Sequence, residues 1–136
     1  MSRENVEVVR RVYEAAARGD SRDVLALYDP TVEVDSRRVP LTQMIGGNIL
    51  SGHEGLRVFF RERAEALDAA EDTCEELIDA GDEVVSVVTV RGRGRTSGIG
   101  VETRMAGVWT IRDGRVVRVV WFPSREEALE AAGLRE

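Results

Sequence analysis

Apolar residues recur at helical spacing near the start of the chain. Val6, Val9, Val12, Tyr13, Ala16 and Ala17 form one stripe that predicts a helix through about Arg18, with Ser2 as its cap and Gly19 in the C′ position. A short second helix is expected next, capped by Asp20 or Ser21. It turns Val24, Leu25, Leu27 and Tyr28 inward and stops at Asp29-Pro30. Thr31 to Asp35 then alternates as a strand. The stretch from Ser36 to Leu50 has no clear period, yet Leu41, Met44, Ile45, Ile49 and Leu50 make it unusually apolar for a connection, as in a segment that covers something.

Ser51 and Glu54 have the spacing of a capping box, in which each side chain satisfies a backbone N–H at the start of a helix. Leu56, Phe59, Phe60, Arg63, Ala64 and Leu67 follow at helical spacing and predict a long helix with one face against a sheet. Strands are predicted at about Thr73 to Asp79, Glu83 to Arg91, Gly100 to Arg112 and Arg115 to Phe122. The last two meet at Asp113-Gly114, which suits a two-residue type I′ hairpin because both central residues take φ > 0. A second capping box, Ser124 to Glu127, opens a short closing helix that ends at Gly133. Helices, one strand, a helix and an antiparallel meander make an α+β pattern, with helices on one side of a curved sheet.

Composition narrows the function classes. The 136 residues suit a single domain spanning 1–136, and the 43% hydrophobic and 32% charged content is that of a soluble globule without an apolar run able to span a bilayer. Charges near the amino terminus argue against a signal peptide, and the single Cys74 excludes an intrachain disulfide; both point to the cytoplasm. The formal net charge of -6 argues against nucleic-acid binding, and the Gly-interrupted Arg91, Arg93 and Arg95 read as a soluble hairpin connection. With one histidine and no Cys-x-x-Cys spacing, no metal site is expected, and no cofactor.

The segments ARGDSRDVLALYDPTVEV, GHEGLRVFF, RGRGRTSG, WTIRDGRVVR and SREEALEAAGL together resemble the SnoaL-like (polyketide cyclase-like) branch of the nuclear-transport-factor-2-like superfamily, which also holds ketosteroid isomerases, limonene epoxide hydrolases and scytalone dehydratases. The resemblance implies a cone-shaped, cystatin-like α+β fold, a bent, mostly antiparallel sheet wrapped around the N-terminal helices, an apolar pocket inside the cone, and frequent dimerisation through the outer sheet face. In the ketosteroid isomerases a general-base Asp, a Tyr and a second acid do the work. Laid over this chain, those positions fall on Val34, Val12 and Gly107, none of which can, and where related chains often carry His this one has Gly107.

Strand parity predicts which side chains face the helices. Thr103, Met105, Gly107, Trp109 and Ile111 share one face, joined across the hairpin by Val117, Val119 and Trp121; Arg104, Val108, Val120 and Phe122 lie opposite. The expected pocket is therefore lined by Tyr13, Val34, Met44, Phe59, Met105, Gly107, Trp109 and Trp121. Asp35, at the end of the first strand beside the apolar stretch, is the best available base, its alternative role being a solvated strand end. His53, near the start of the long helix, reads as a surface side chain.

Two functions of different class follow. One is a cofactor-independent enzyme of the cyclase, isomerase or hydrolase kind acting on a small apolar molecule, with Asp35 as base; an epoxide hydrolase-like activation of water is a variant, for which only one pocket Asp is visible. The other is a noncatalytic binding or association domain. A cavity acid distinguishes them. The apolar Val108, Val120 and Phe122 on the outer face predict a homodimer.

Overall fold

The computed structural model describes residues 2–39 and 49–134. Helices α1 (Ser2–Ala17) and α2 (Ser21–Ala26) open the chain, separated by Gly19, whose φ of +72° ends α1, and by Asp20, whose carboxylate accepts the Asp23 N–H at 3.1 Å to cap α2. Strands β1 (Tyr28–Asp35) and β2 (Ile49–Ser51) follow, then the long helix α3 (Gly52–Ala66). Strands β3 (Leu67–Ala80), β4 (Glu83–Gly94), β5 (Gly100–Arg112) and β6 (Arg115–Phe122) form the meander, and α4 (Arg125–Ala131) closes the described chain.

The six strands make one curved, unclosed sheet in the order β2-β1-β6-β5-β4-β3. All neighbours run antiparallel except β1 and β6, which are parallel. The α+β expectation holds, and the Asp113-Gly114 turn has φ of 52° and 77°, as a type I′ hairpin requires.

Several boundaries differ from the sequence pattern for physical reasons. Strand β1 begins at Tyr28, upstream of the proline read as a helix stop. Its register shifts between Tyr28 and Glu33, and that irregularity accommodates Pro30, which has no N–H to give a ladder. Strand β3 begins at Leu67 instead of Thr73: Ala69 takes a φ of 54° within a bulge, so Leu67 and Asp68 still pair with Gly94 and Arg93. A further register shift after Thr110 pairs Ile111 with Val116, so Val116, fully buried, takes the inward place expected of Val117. Of the two capping boxes, Ser124 forms one, its Oγ accepting the Glu127 N–H at 3.2 Å, while Ser51 makes no side-chain cap bond.

The sheet is covered on both faces, which explains why β4 is buried continuously from Val84 to Val90. Inside, Val9, Val12, Val32, Val84, Trp109 and Val119 belong to one cluster under the helices. Outside, Ala128 and Leu129 of α4 pack on Val85, Val87, Ala106 and Val108, and paired hydrogen bonds of 2.9 Å from Arg125 to Glu76 hold α4 against β3. The guanidinium of Arg38 lies 5.4 Å from the centre of the Phe122 ring. The apolar outer patch that predicts a dimer is thus largely covered from within the chain: Val108 is buried, and Phe122 packs against the α4 cluster.

Candidate functional site

Across the inner face of the sheet, Leu77, Ser86, Gly107 and Trp121 fall in one row of paired positions on β3, β4, β5 and β6. Ser86 is fully buried, and its hydroxyl accepts a hydrogen bond from the Trp109 indole N–H at 2.8 Å while sharing another with the Tyr13 hydroxyl at 3.0 Å. One O–H and two lone pairs suffice for both partners. Tyr13 and Trp121 each pack edge-on against Trp109, with ring centroids 5.7 and 5.8 Å away, and Tyr28 approaches it at 6.2 Å. Burial pushes the Tyr13 phenol well above its ordinary pKa, so it is a neutral group at physiological pH.

Gly107 is central to this arrangement. A methyl group there would stand 2.9 Å from Cζ3 of Trp121 and 3.0 Å from Nε1 of Trp109, closer than packed carbon atoms tolerate. The missing side chain makes room for the Trp121 indole. The position therefore presents no acid or base, and the neighbouring ring occupies its space.

Asp35 requires a correction as the expected base. In the parallel register it pairs with Val120, while Val34 pairs with Val119 and joins the inner core. Asp35 is buried to 2% exposure, and its carboxylate accepts bonds from the Arg37 backbone N–H at 3.1 Å, the Arg37 guanidinium at 3.1 and 2.9 Å, and Arg38 at 3.1 Å. These donors, Arg37 first, hold its pKa well below the usual carboxylate range despite the opposing effect of burial. A carboxylate held ionised in this way is a weak base; it fastens the turn after β1.

The inner face does carry an acid, at Asp72. It pairs with the inward Val90 of β4 and receives both terminal nitrogens of Arg63 from α3, at 2.9 and 2.5 Å. Both side chains are about one-fifth exposed, 22% and 23%. This two-pronged geometry fixes the carboxylate while leaving each oxygen a further lone pair. Two residues along β3, Cys74 faces the same way, its thiol pKa raised by burial. A groove of about 430 Å³ opens between α1 and β3, lined by Tyr13, Ala17, Cys74 and Leu77 and by the charged Arg10, Glu14, Glu75 and Glu76.

The other expected pocket residues distribute unevenly. Met105 is buried beside Val39, Val88 and Val90, with Tyr13 and Trp121 packed on that cluster. Val34 is core. Phe59 is half-buried and meets Phe60 edge-on at 6.0 Å, and it is Phe60 that packs on the inner core. Met44 lies outside the described residues. His53 is part-buried, and its Nε2 donates to the Tyr28 carbonyl at 2.8 Å, so it is not a solvated surface residue. Arg104 faces outward, as parity predicts, and bonds Glu75 at 3.1 Å.

Ser86 and Asp72 escaped the sequence reading. Ser86 carries a legible signal, a single hydroxyl within the run Val84-Val85-Ser86-Val87-Val88 and on the Val84 face. Asp72 has one only if β3 is extended upstream through its bulge. Arg63 lay on the apolar stripe of the long helix, where a charge implies a partner.

Comparison with known proteins agrees with this architecture. A model of the SnoaL-like domain matches residues 9–119. An NTF2-like protein of unknown function from Burkholderia pseudomallei is similar at 25% identity with a TM-score of 0.78, over 93% of this chain and 95% of that one. TerC, co-crystallised with polyporic acid, is similar at 23% identity and a TM-score of 0.77, over 96% and 98% of the two chains. A Mycobacterium tuberculosis protein in complex with estradiol-17β-hemisuccinate shares 17% identity at a TM-score of 0.74, over 90% and 95%. At the two lower identities the likeness is one of fold. No protein of curated function matches.

Two predictions arise from these contacts. Gly107→Ala forces the Trp121 and Trp109 rings to move and should cost about 1–3 kcal/mol in denaturant unfolding. The same change in a Trp121→Leu background should cost clearly less; equal costs would mean that the ring does not fill the site. Asp35→Asn should lower stability near neutral pH by about 1–3 kcal/mol. Because the folded pKa is depressed, the Asp35 contribution is fully present above the unfolded value near ~3.9 and is lost as pH falls below it toward the folded value. The gap between wild type and variant should therefore narrow below about pH 4 in urea titrations. A gap independent of pH would contradict the assignment.

Proposed function

The chain belongs to the SnoaL-like family, and we propose that it binds a small apolar molecule against the aromatic inner face of its sheet. Tyr13 carries this reading. Its ring walls the groove between α1 and β3 and packs on Trp109, while its hydroxyl is anchored on Ser86. A ligand entering there meets Tyr13, Ala17, Cys74 and Leu77 beside the polar Glu75 and Glu76, and Trp121 packs on the same Met105 cluster as Tyr13 behind that wall. TerC and the M. tuberculosis protein, each crystallised with a small organic molecule, support the class of ligand.

Binding without turnover is the reading favoured by Gly107 and Asp35, which supply no base. A second reading rests on Asp72. Beyond the two Arg63 bonds each oxygen keeps a lone pair that can accept a hydrogen bond from a water and orient it, as an epoxide hydrolase-like reaction requires. Neither reading calls for a cofactor. The half-buried free thiol of Cys74 supports a cytoplasmic setting.

Tryptophan fluorescence titration and thermal shift with steroid, terpenoid and aromatic polyketide panels test the proposal. A saturating member should quench fluorescence and, at a hundredfold excess over Kd, stabilise the fold by about 2.7 kcal/mol. Trp121→Leu should weaken it about tenfold. A panel with no saturating member contradicts the binding reading. Asp72→Asn should retain the ligand; turnover of an epoxide by wild type and its loss in this variant would establish the second reading.

Homodimerisation through the outer sheet face remains part of the proposal, now through the polar strip beyond α4, where Glu75, Arg104, Arg91 and Glu102 lie. Sedimentation at micromolar concentration should give the mass of two chains; the mass of one removes it.

A further inference from the structure

Outside the inner face, α2 and the first turns of α3 border a second, open groove of about 380 Å³. Its floor is Leu25 and Ala26, and Ser21, Arg22, His53 and Arg57 surround it. We infer that this groove binds a small organic anion, a carboxylate or phosphate monoester carried on an apolar body.

The inference stands on the donor set and on how the neighbouring acids are engaged. The Nε2 N–H of His53 donates to the Tyr28 carbonyl at 2.8 Å, so the donors of the groove are Ser21, Arg22 and Arg57. Arg22 makes no hydrogen bond or ion pair among the described residues and lies near the capping carboxylate of Asp20. Among the described residues Arg57 meets only Glu54, at 3.4 Å, with side chains 56% and 79% exposed. Such an exposed pair contributes little and yields readily to a better acceptor. The other carboxylates nearby each have a bonded partner of their own, although Asp20 also lies near Arg22 and Asp29 near His53. Asp20 caps α2, Asp23 pairs with Arg18 at 3.4 Å, and Asp29 accepts both the backbone N–H and the hydroxyl of Thr31.

Two guanidinium groups on adjacent helices thus flank an apolar floor in a chain whose net charge is -6. Planar guanidinium forks match carboxylate and phosphate oxygens in pairs. The Leu25 and Ala26 floor adds a preference for anions with a hydrocarbon body over bare ions. This site is separate from the inner face and does not depend on the function proposed there.

Two-dimensional NMR titration of the full chain with phenyl phosphate, benzoate, inorganic phosphate and benzyl alcohol tests it. Phenyl phosphate or benzoate should give saturable shifts at Leu25, Ala26 and His53. Inorganic phosphate and benzyl alcohol should bind about tenfold or more weakly, lacking the body and the charge respectively. Arg22→Gln combined with Arg57→Gln, both exposed positions, should leave the remaining spectrum intact and weaken the anion about tenfold or more. Inorganic phosphate binding as tightly as phenyl phosphate, benzyl alcohol binding as tightly as either anion, or anion binding unchanged in the double variant would each overturn the inference.

Discussion

A single hydroxyl in the middle of an apolar strand ties the helical layer to the sheet. Ser86, fully buried, holds the Tyr13 hydroxyl of α1 and the Trp109 indole of β5 at once. Removing that oxygen would leave two buried polar groups without partners, a cost of about 1–3 kcal/mol for each. The bonds also orient the rings. With Tyr13 fixed above Trp109 and Trp121 edge-on beside it, the inner face becomes a rigid aromatic surface, where apolar side chains alone would permit several packings.

Gly107 and Trp121 determine what that surface can do. An indole fills the space above a glycine, so the middle of the inner face offers shape and polarisability, without a proton donor or acceptor aimed at a ligand. Charge is displaced to the sheet's outer strand and helix α3, where Arg63 and Asp72 satisfy each other. Among the described residues the remaining deeply placed carboxylate, Asp35, is held on the far side of β1 by two arginines.

Much of the fold was legible because local signals agreed with one another. Asp113-Gly114 set the hairpin register, and parity from that turn placed Met105, Gly107, Trp109 and Trp121 together on the inner face. The failures lie where tertiary pairing overrides local chemistry. Pro30 sits in a strand because a bulge in β1 absorbs it, and Val117 turns away because the hairpin register shifts by one residue. Asp35 has a plausible base's position in sequence, yet its role depends on Arg37 and Arg38, which follow it in the chain and whose folding back no periodicity reveals. Asp72 was hidden because a positive φ at Ala69 lets strand pairing continue where the pattern broke.

The Ser86 anchor is open to direct measurement through the two indole protons. Hydrogen exchange followed by NMR should show the Trp109 Nε1 proton exchanging only through global unfolding, since it is buried and bound to Ser86. The half-buried Trp121 indole should exchange faster. Comparable fast exchange at both indoles would contradict a core organised around Ser86.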